Sequence, residues 1–227
     1  MRQLLAIDPK RTALILIDLQ EEQRRDPYYV AAEFDSVLGN ARRLLEAARA
    51  HGVRVVHMAY MRDFLKVARR PFEPVTAEGR PTFSDAASPH VAICSEVAPQ
   101  GGETVIEKND ASAFSTGELE PLLRAAGIEW LVVSGVWTEA CVAATVRDAI
   151  PRGFCVLLVK DACGSGTIAM HQVGILNLAN RLNGGAVADT ATACRLISGE
   201  PAEAWVAQKQ VGLLFTYEDA ARQYEML

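Results

Sequence analysis

No apolar stretch in this chain is long enough to cross a membrane. The opening residues, Met-Arg-Gln-Leu-Leu-Ala-Ile-Asp, are too short for a signal peptide and lack a cleavage pattern. The five cysteines are Cys94, Cys141, Cys155, Cys163 and Cys194, with no CxxC pair and no zinc spacing. Reduced thiols and a cytoplasmic location are therefore expected. The four histidines, His51, His57, His90 and His171, show no ligand spacing. Positive charge is in short supply, with a formal net charge of −5, and a nucleic-acid surface is not expected. Repeats and low-complexity tracts are missing too. What remains is 227 residues, half of them apolar, enough for one domain with a substantial core.

Strands are read at about 12–18, 53–60, 103–108, 130–135, 155–160 and 186–189. Helical periodicity falls at about 34–51, 117–126, 139–152, 167–183 and 217–226. Strands alternating with helices imply an α/β fold with a mostly parallel sheet covered on both faces. Residues 61–102 break the alternation and hold Pro71, Pro74, Pro81, Pro89 and Pro99, which suggests a lid-like loop. From Gly199 onward a tail carries Trp205, Val211, Leu213, Leu214, Phe215, Tyr217 and Tyr224.

Three positions carry candidate chemistry. Cys141 follows a buried strand and a short turn, in the first turn of a helix, where unpaired N–H groups favour a thiolate. The alternative is a small buried hydrophobe. Asp18 ends the apolar run Thr12-Ala-Leu-Ile-Leu-Ile, at the strand edge where sites of parallel sheets lie. It could equally cap a turn. Lys108 ends a shorter strand, where a lysine is ordinarily solvated. The stretch Gly164-Ser-Gly166 matches no phosphate-binding pattern and reads as a plain turn.

The stretches Ala13-Leu-Ile-Leu-Ile-Asp-Leu-Gln20, Glu107-Lys-Asn-Asp-Ala-Ser-Ala-Phe114 and Gly135-Val-Trp-Thr-Glu-Ala-Cys141 together resemble the isochorismatase-like cysteine hydrolases. That family includes nicotinamidases, N-carbamoylsarcosine amidohydrolases and ureidoacrylate hydrolases. The resemblance implies a three-layer α/β/α fold, with a six-stranded sheet ordered 3-2-1-4-5-6, over a single domain spanning 1–227. It implies Cys141 as nucleophile, Asp18 as base and Lys108 as the ammonium that stabilises the thiolate and holds Asp18. The ammonium and the helix end are expected to lower the thiol pKa, with Asp18 opposing them. The N–H groups of Trp137 and Cys141 become the oxyanion donors, aimed by a cis peptide at Val136–Trp137.

Gln23, Phe114, Val136 and Trp137 become substrate-binding positions. Relatives often have an aromatic residue where this chain has Gln23. Some relatives bind a metal just after the second strand, using an aspartate and histidines. Here Asp63 has no neighbouring histidine, so no metal and no cofactor are expected. Members that cleave the vinyl ether of isochorismate do not need the cysteine. Its presence points to hydrolysis of a C–N bond in a small amide, carbamoyl or ureido compound through an acyl-enzyme. The alternative is a thiol-reactive or binding member of the same fold. Arg62, Arg69 and Arg70 lie in or beside the lid, where one could bind a substrate carboxylate or all could be solvated. Relatives commonly form homo-oligomers, and the apolar tail is expected to help hold a dimer or tetramer together.

Overall fold

The computed structural model describes residues 1–26, 29–207 and 212–227. Fifteen regular elements follow one another: β1 (Arg2–Leu5), β2 (Thr12–Ile17), α1 (Glu22–Arg25), α2 (Phe34–Ala50), β3 (Arg54–Tyr60), β4 (Thr104–Lys108), α3 (Leu119–Ala125), β5 (Trp130–Val136), α4 (Ala143–Ala149), β6 (Cys155–Gly164), α5 (Ile168–Ala179), β7 (Ala186–Ala188), α6 (Thr190–Ile197), β8 (Ala202–Val206) and α7 (Ala220–Glu225).

Every residue of β2 is buried. Its side chains alternate between two apolar layers: Ala13, Ile15 and Ile17 enter one, Leu14 and Leu16 the other. That alternation is what a strand covered on both faces requires. The first layer is closed by α3, α4 and α5, which contribute Leu123, Val146 and Ile175. The second is closed by α2 and α6, through Leu38, Leu44, Leu45 and Leu196.

The sheet runs β1-β8-β7-β6-β5-β2-β3-β4. It has eight strands where six were expected. The six from β2 to β7 pair in parallel, and β8 and β1 extend the β7 edge as antiparallel strands. Both additions are short: β1 forms the edge and is largely exposed, and β8 lies between it and β7, so neither shows the apolar run of a central strand. β2 lies between β3 and β5, so the chain leaves the sheet from adjacent parallel ends there.

The tail begins inside the fold rather than beyond it. Trp205 belongs to β8 and is 8% exposed. The Asn180 amide binds Leu213 in both directions, at 2.9 and 2.8 Å. Leu214 and Tyr217 are exposed, and Val211 lies outside the described residues. The segment 61–102 is not structureless. It contains 3-10 turns at Pro89–Val91 and Ser95–Val97, and bridges pair Arg62 with Asp85 and Gln20 with Ile93. Among the described residues no helix is long and apolar enough to cross a membrane.

One core group titrates in a measurable way. Burial lowers His171 to about 4 from an ordinary 6.5. The unfolded chain therefore binds the extra proton first, and the contribution of His171 to stability is lost as pH falls from about 6.5 towards about 4. Glu22, raised by burial to about 7, acts in the opposite sense over that range. The effect is thus read as a difference between proteins. The stability advantage of wild type over His171→Asn, from urea unfolding, is expected to shrink by about 2 kcal/mol between pH 7 and pH 5. A constant difference would mean that His171 titrates normally.

Candidate active site

Three strands bring the candidate residues together at one edge of the sheet. Asp18 follows directly on β2 and is 3% exposed. Its φ is 53°, a left-handed conformation that aspartate tolerates better than most residues, and the chain turns out of the sheet there. Its N–H still bonds Met58 of β3, at 3.0 Å. Lys108 is the last residue of β4, in register with Tyr60 at the end of β3. Its side chain is fully buried and crosses towards β2, placing Nζ 2.7 Å from Asp18 Oδ2 and 3.2 Å from the Asp110 carbonyl. The ammonium also sits 4.7 Å from the centroid of the Tyr60 ring.

Cys141 arrives from β5. Gly135, paired with Ile17, has φ 134°, and a Cβ there would collide with the Ile17 carbonyl and amide. The absence of a side chain lets β5 approach the end of β2 closely. The Val136–Trp137 peptide is cis. A wide π-type turn, Thr138–Val142, then carries Cys141 into α4, so the single helix expected from 139 divides in two. Because backbone atoms block the Cβ, Gly135→Ala is expected to cost about 3 kcal/mol or more and to remove any activity of the site. Thermal unfolding tests this, and a melting temperature within a few degrees of wild type would contradict it.

The electrostatics reverse one expectation. Burial pushes the Cys141 thiol up to about 12, with Asp18 adding to the rise and Lys108 opposing it. The helix end does not yield a resting thiolate. Asp18 is also raised, by burial against the opposing pull of Lys108. Lys108 is raised too: burial works to lower it, and the Asp18 and Cys141 charges outweigh that. At neutral pH the thiol is protonated and Lys108 stays charged, with the Asp18 carboxyl raised beside them. Asp18 Oδ1 is buried without a hydrogen-bond partner, so an acceptor stands ready beside the thiol.

The other candidate residues divide. Gln23 is 1% exposed, and its Oε1 accepts from Trp137 Nε1 at 2.7 Å, so a polar contact holds the indole. Gly166 gives the indole room, since a Cβ there would lie 3.0 Å from Trp137 Cζ3. The turn Gly164-Ser-Gly166 thus does more than reverse the chain. Val136 is buried in the α2 layer. Phe114 stacks on Phe154 at 6.0 Å, under the guanidinium of Arg152, in the core layer against which Cys141 also packs.

Arg62 is neither solvated nor available to a ligand through its paired edge. It is 2% exposed and grips Glu73 with two contacts, at 2.7 and 2.6 Å. Arg69 donates to the Glu73 carbonyl, whereas Arg70 reaches Asn109 and Asp110 beside the end of β4. Asp63 caps its own turn through Leu65 N–H. Sequence reasoning missed Glu22, a buried carboxyl that accepts from both Ser84 N–H and Ser84 Oγ–H on the long loop. A glutamate in a polar run carries no signal of burial.

A cavity of about 350 Å³ opens beside Lys108 and is also lined by Met61, Asp63, Val67, Glu107 and Asn109. Another, of about 260 Å³, lies behind the turn that carries Cys141, against Ser165, His171 and Tyr224, and none of the three clustered residues lines it. The chemistry favours the first as an approach to the site.

Comparison with known proteins identifies the family. The isochorismatase domain family model matches residues 12–192. The maleamate amidohydrolase of Pseudomonas putida strain KT2440 is 31% identical over 182 residues, covering 74% of this chain and 79% of that protein. The N-carbamoylsarcosine amidase of an Arthrobacter species is 31% identical over 178 residues, covering 75% and 66%. Among solved structures, a cysteine hydrolase from Pseudomonas syringae pv. phaseolicola 1448A superposes with a TM-score of 0.75 at 24% identity, covering 85% of this chain and 95% of that one. The chain belongs to the isochorismatase family.

Proposed function

We propose that this member of the isochorismatase family hydrolyses a C–N bond in a small amide, carbamoyl or ureido compound, through an acyl-enzyme on Cys141. The observation that carries the reading is the buried Asp18–Lys108 ion pair beside a protonated thiol. The names of the two amidohydrolase relatives agree with the bond type.

In this reading Asp18 takes the Cys141 proton as Sγ attacks the substrate carbonyl carbon. Charge on the carbonyl oxygen is met by the N–H groups of Trp137 and Cys141. The C–N bond then breaks, the proton passes from Asp18 to the departing nitrogen, and an amine or ammonia leaves. Water, deprotonated by Asp18, attacks the thioester. Sγ departs and recovers its proton. Lys108 keeps its charge throughout, so the cluster never holds an unpaired anion. No step requires a metal.

The test is ammonia release from a panel of primary amides, carbamoyl and ureido compounds, each with and without a carboxylate. Activity together with a mass increment on the Cys141 peptide is expected. Selectivity for carboxylates that vanishes in Arg70→Ala would assign that arginine. Rapid alkylation without turnover on any compound would favour a thiol-reactive member instead. The exposed Leu65, Phe72, Leu214 and Tyr217 support a homo-oligomer, dimer or tetramer, which light scattering reads directly.

A further inference from the structure

Thr138, the first residue of the turn that carries Cys141, is fully buried, and its hydroxyl donates to the Gly164 carbonyl at 2.9 Å. A carbonyl only accepts, so this bond uses the one proton of Thr138. His171 Nδ1 lies 2.8 Å from the same hydroxyl oxygen. With that proton committed, the ring must donate, and Nδ1 carries the hydrogen. Burial keeps the imidazole neutral at ordinary pH, so it holds one proton and Nε2 is an acceptor. The Tyr224 hydroxyl, 3.1 Å from Nε2, is then the donor. Burial also raises the phenol, which keeps it protonated. The result is a directed chain, Tyr224 to His171 to Thr138 to Gly164, in which each direction follows from the one before.

The two ends of this chain are well anchored. The Tyr224 ring meets the imidazole edge-on at 5.4 Å, and the Tyr224 carbonyl accepts from Lys160 Nζ at 3.0 Å. At the other end Thr138 presses against α5, where a Cβ on Gly174 would lie 2.9 Å from Thr138 Cγ2. The turn therefore has little room to move unless the chain of bonds lets go. Tyr224 stands on α7, at the far end of the sequence, 83 residues beyond Cys141 by their numbers, 224 − 141.

We propose that Tyr224 is a positioning residue for the nucleophile turn, acting through His171 and Thr138, so that α7 is part of the support of the active site. The proposal rests on Cys141 being the nucleophile. Tyr224→Phe removes one oxygen and keeps the ring contacts. Alkylation of Cys141 by iodoacetamide, followed at its own peptide by mass spectrometry across pH, is expected to show an apparent pKa moved by about half a pH unit. On an amide substrate, kcat is expected to fall about tenfold, the size of one well-formed hydrogen bond, with KM nearly unchanged. Tyr217→Phe, on the same tail and 89% exposed, should leave both readouts alone.

His171→Asn keeps a donor near Thr138 but does not reach Tyr224. It should reproduce the Tyr224→Phe profile, and combining the two should add nothing. It also carries the test if Tyr224→Phe fails to fold. A wild-type alkylation profile in Tyr224→Phe, or additive effects in the double variant, would overturn the proposal. The alkylation arm needs no substrate, so failure of the amide reading leaves this result distinguishable.

Discussion

Cys141→Ala is expected to lower amide turnover by about 10⁴-fold or more while leaving the protein folded. The loss should be this large because the thiol is the only nucleophile within the Asp18–Lys108 set, and Asp18 alone would have to direct water at an unactivated amide. The structural cost should be small. Cys141 is partly exposed, packs on the core only by its edge, and its removal takes away one atom. About 1 kcal/mol of stability is the scale for such a change. The comparison uses ammonia release for turnover and thermal unfolding for stability on the same preparations. The wild type should also accumulate a mass adduct on Cys141 with a slow substrate, and the variant should accumulate none. Residual turnover above about one hundredth of wild type would rule out covalent catalysis as the main route.

Much of this site was legible because parallel sheets place their chemistry at the carboxyl ends of strands. The apolar run Thr12–Ile17 marks a central strand by its composition, and its abrupt end marks Asp18. Lys108 is different. As a lysine on a short strand it reads as solvated, and its burial follows only from the path of its stem past Tyr60 to Asp18. Nor did the thiol pKa follow from its place at a helix start. Burial and the neighbouring carboxylate outweigh the ammonium, and neither magnitude is written in local spacing. Glu22 went unnoticed, and the packing of Phe114 was not written in its motif, for a common reason. An aromatic or an acid near a motif has the same letters whether it faces a pocket, a core or a loop. The edge strand β1 escaped notice because its exposure removes the apolar run, and β8 because Glu203 interrupts a strand of five residues. Trp205, expected to help hold an oligomer, lies in β8 and packs within its own domain.

Asp18→Asn separates the two duties of the carboxylate, and its two readouts are expected to move in opposite directions. In wild type Asp18 raises the Cys141 pKa, and in the proposed mechanism it accepts the thiol proton during attack. Asparagine removes both effects and leaves the Lys108 ammonium beside the thiol without its counter-ion. The thiol is then the nearest group that can neutralise the ammonium, so its pKa should fall and more thiolate should form. Alkylation of Cys141 at neutral pH should accordingly speed up, by about tenfold for each unit of pKa decrease while the thiolate remains the minor form.

Amide turnover should nevertheless fall by about 10³-fold or more, because no group remains to deliver a proton to the departing nitrogen or to take one from water. Breaking a buried pair is costly, about 3–5 kcal/mol, so a lowered melting temperature is expected and must be measured alongside. A thiolate that reacts faster with iodoacetamide yet no longer releases ammonia would place the role of Asp18 in proton transfer rather than in activating the sulfur. If alkylation instead slowed together with turnover, the ammonium would have lost its proton, and the stabilising partner of the thiolate in the wild type would be Lys108 held charged by Asp18. If turnover survived, Asp18 would be a structural partner of Lys108 and the base would have to be sought elsewhere.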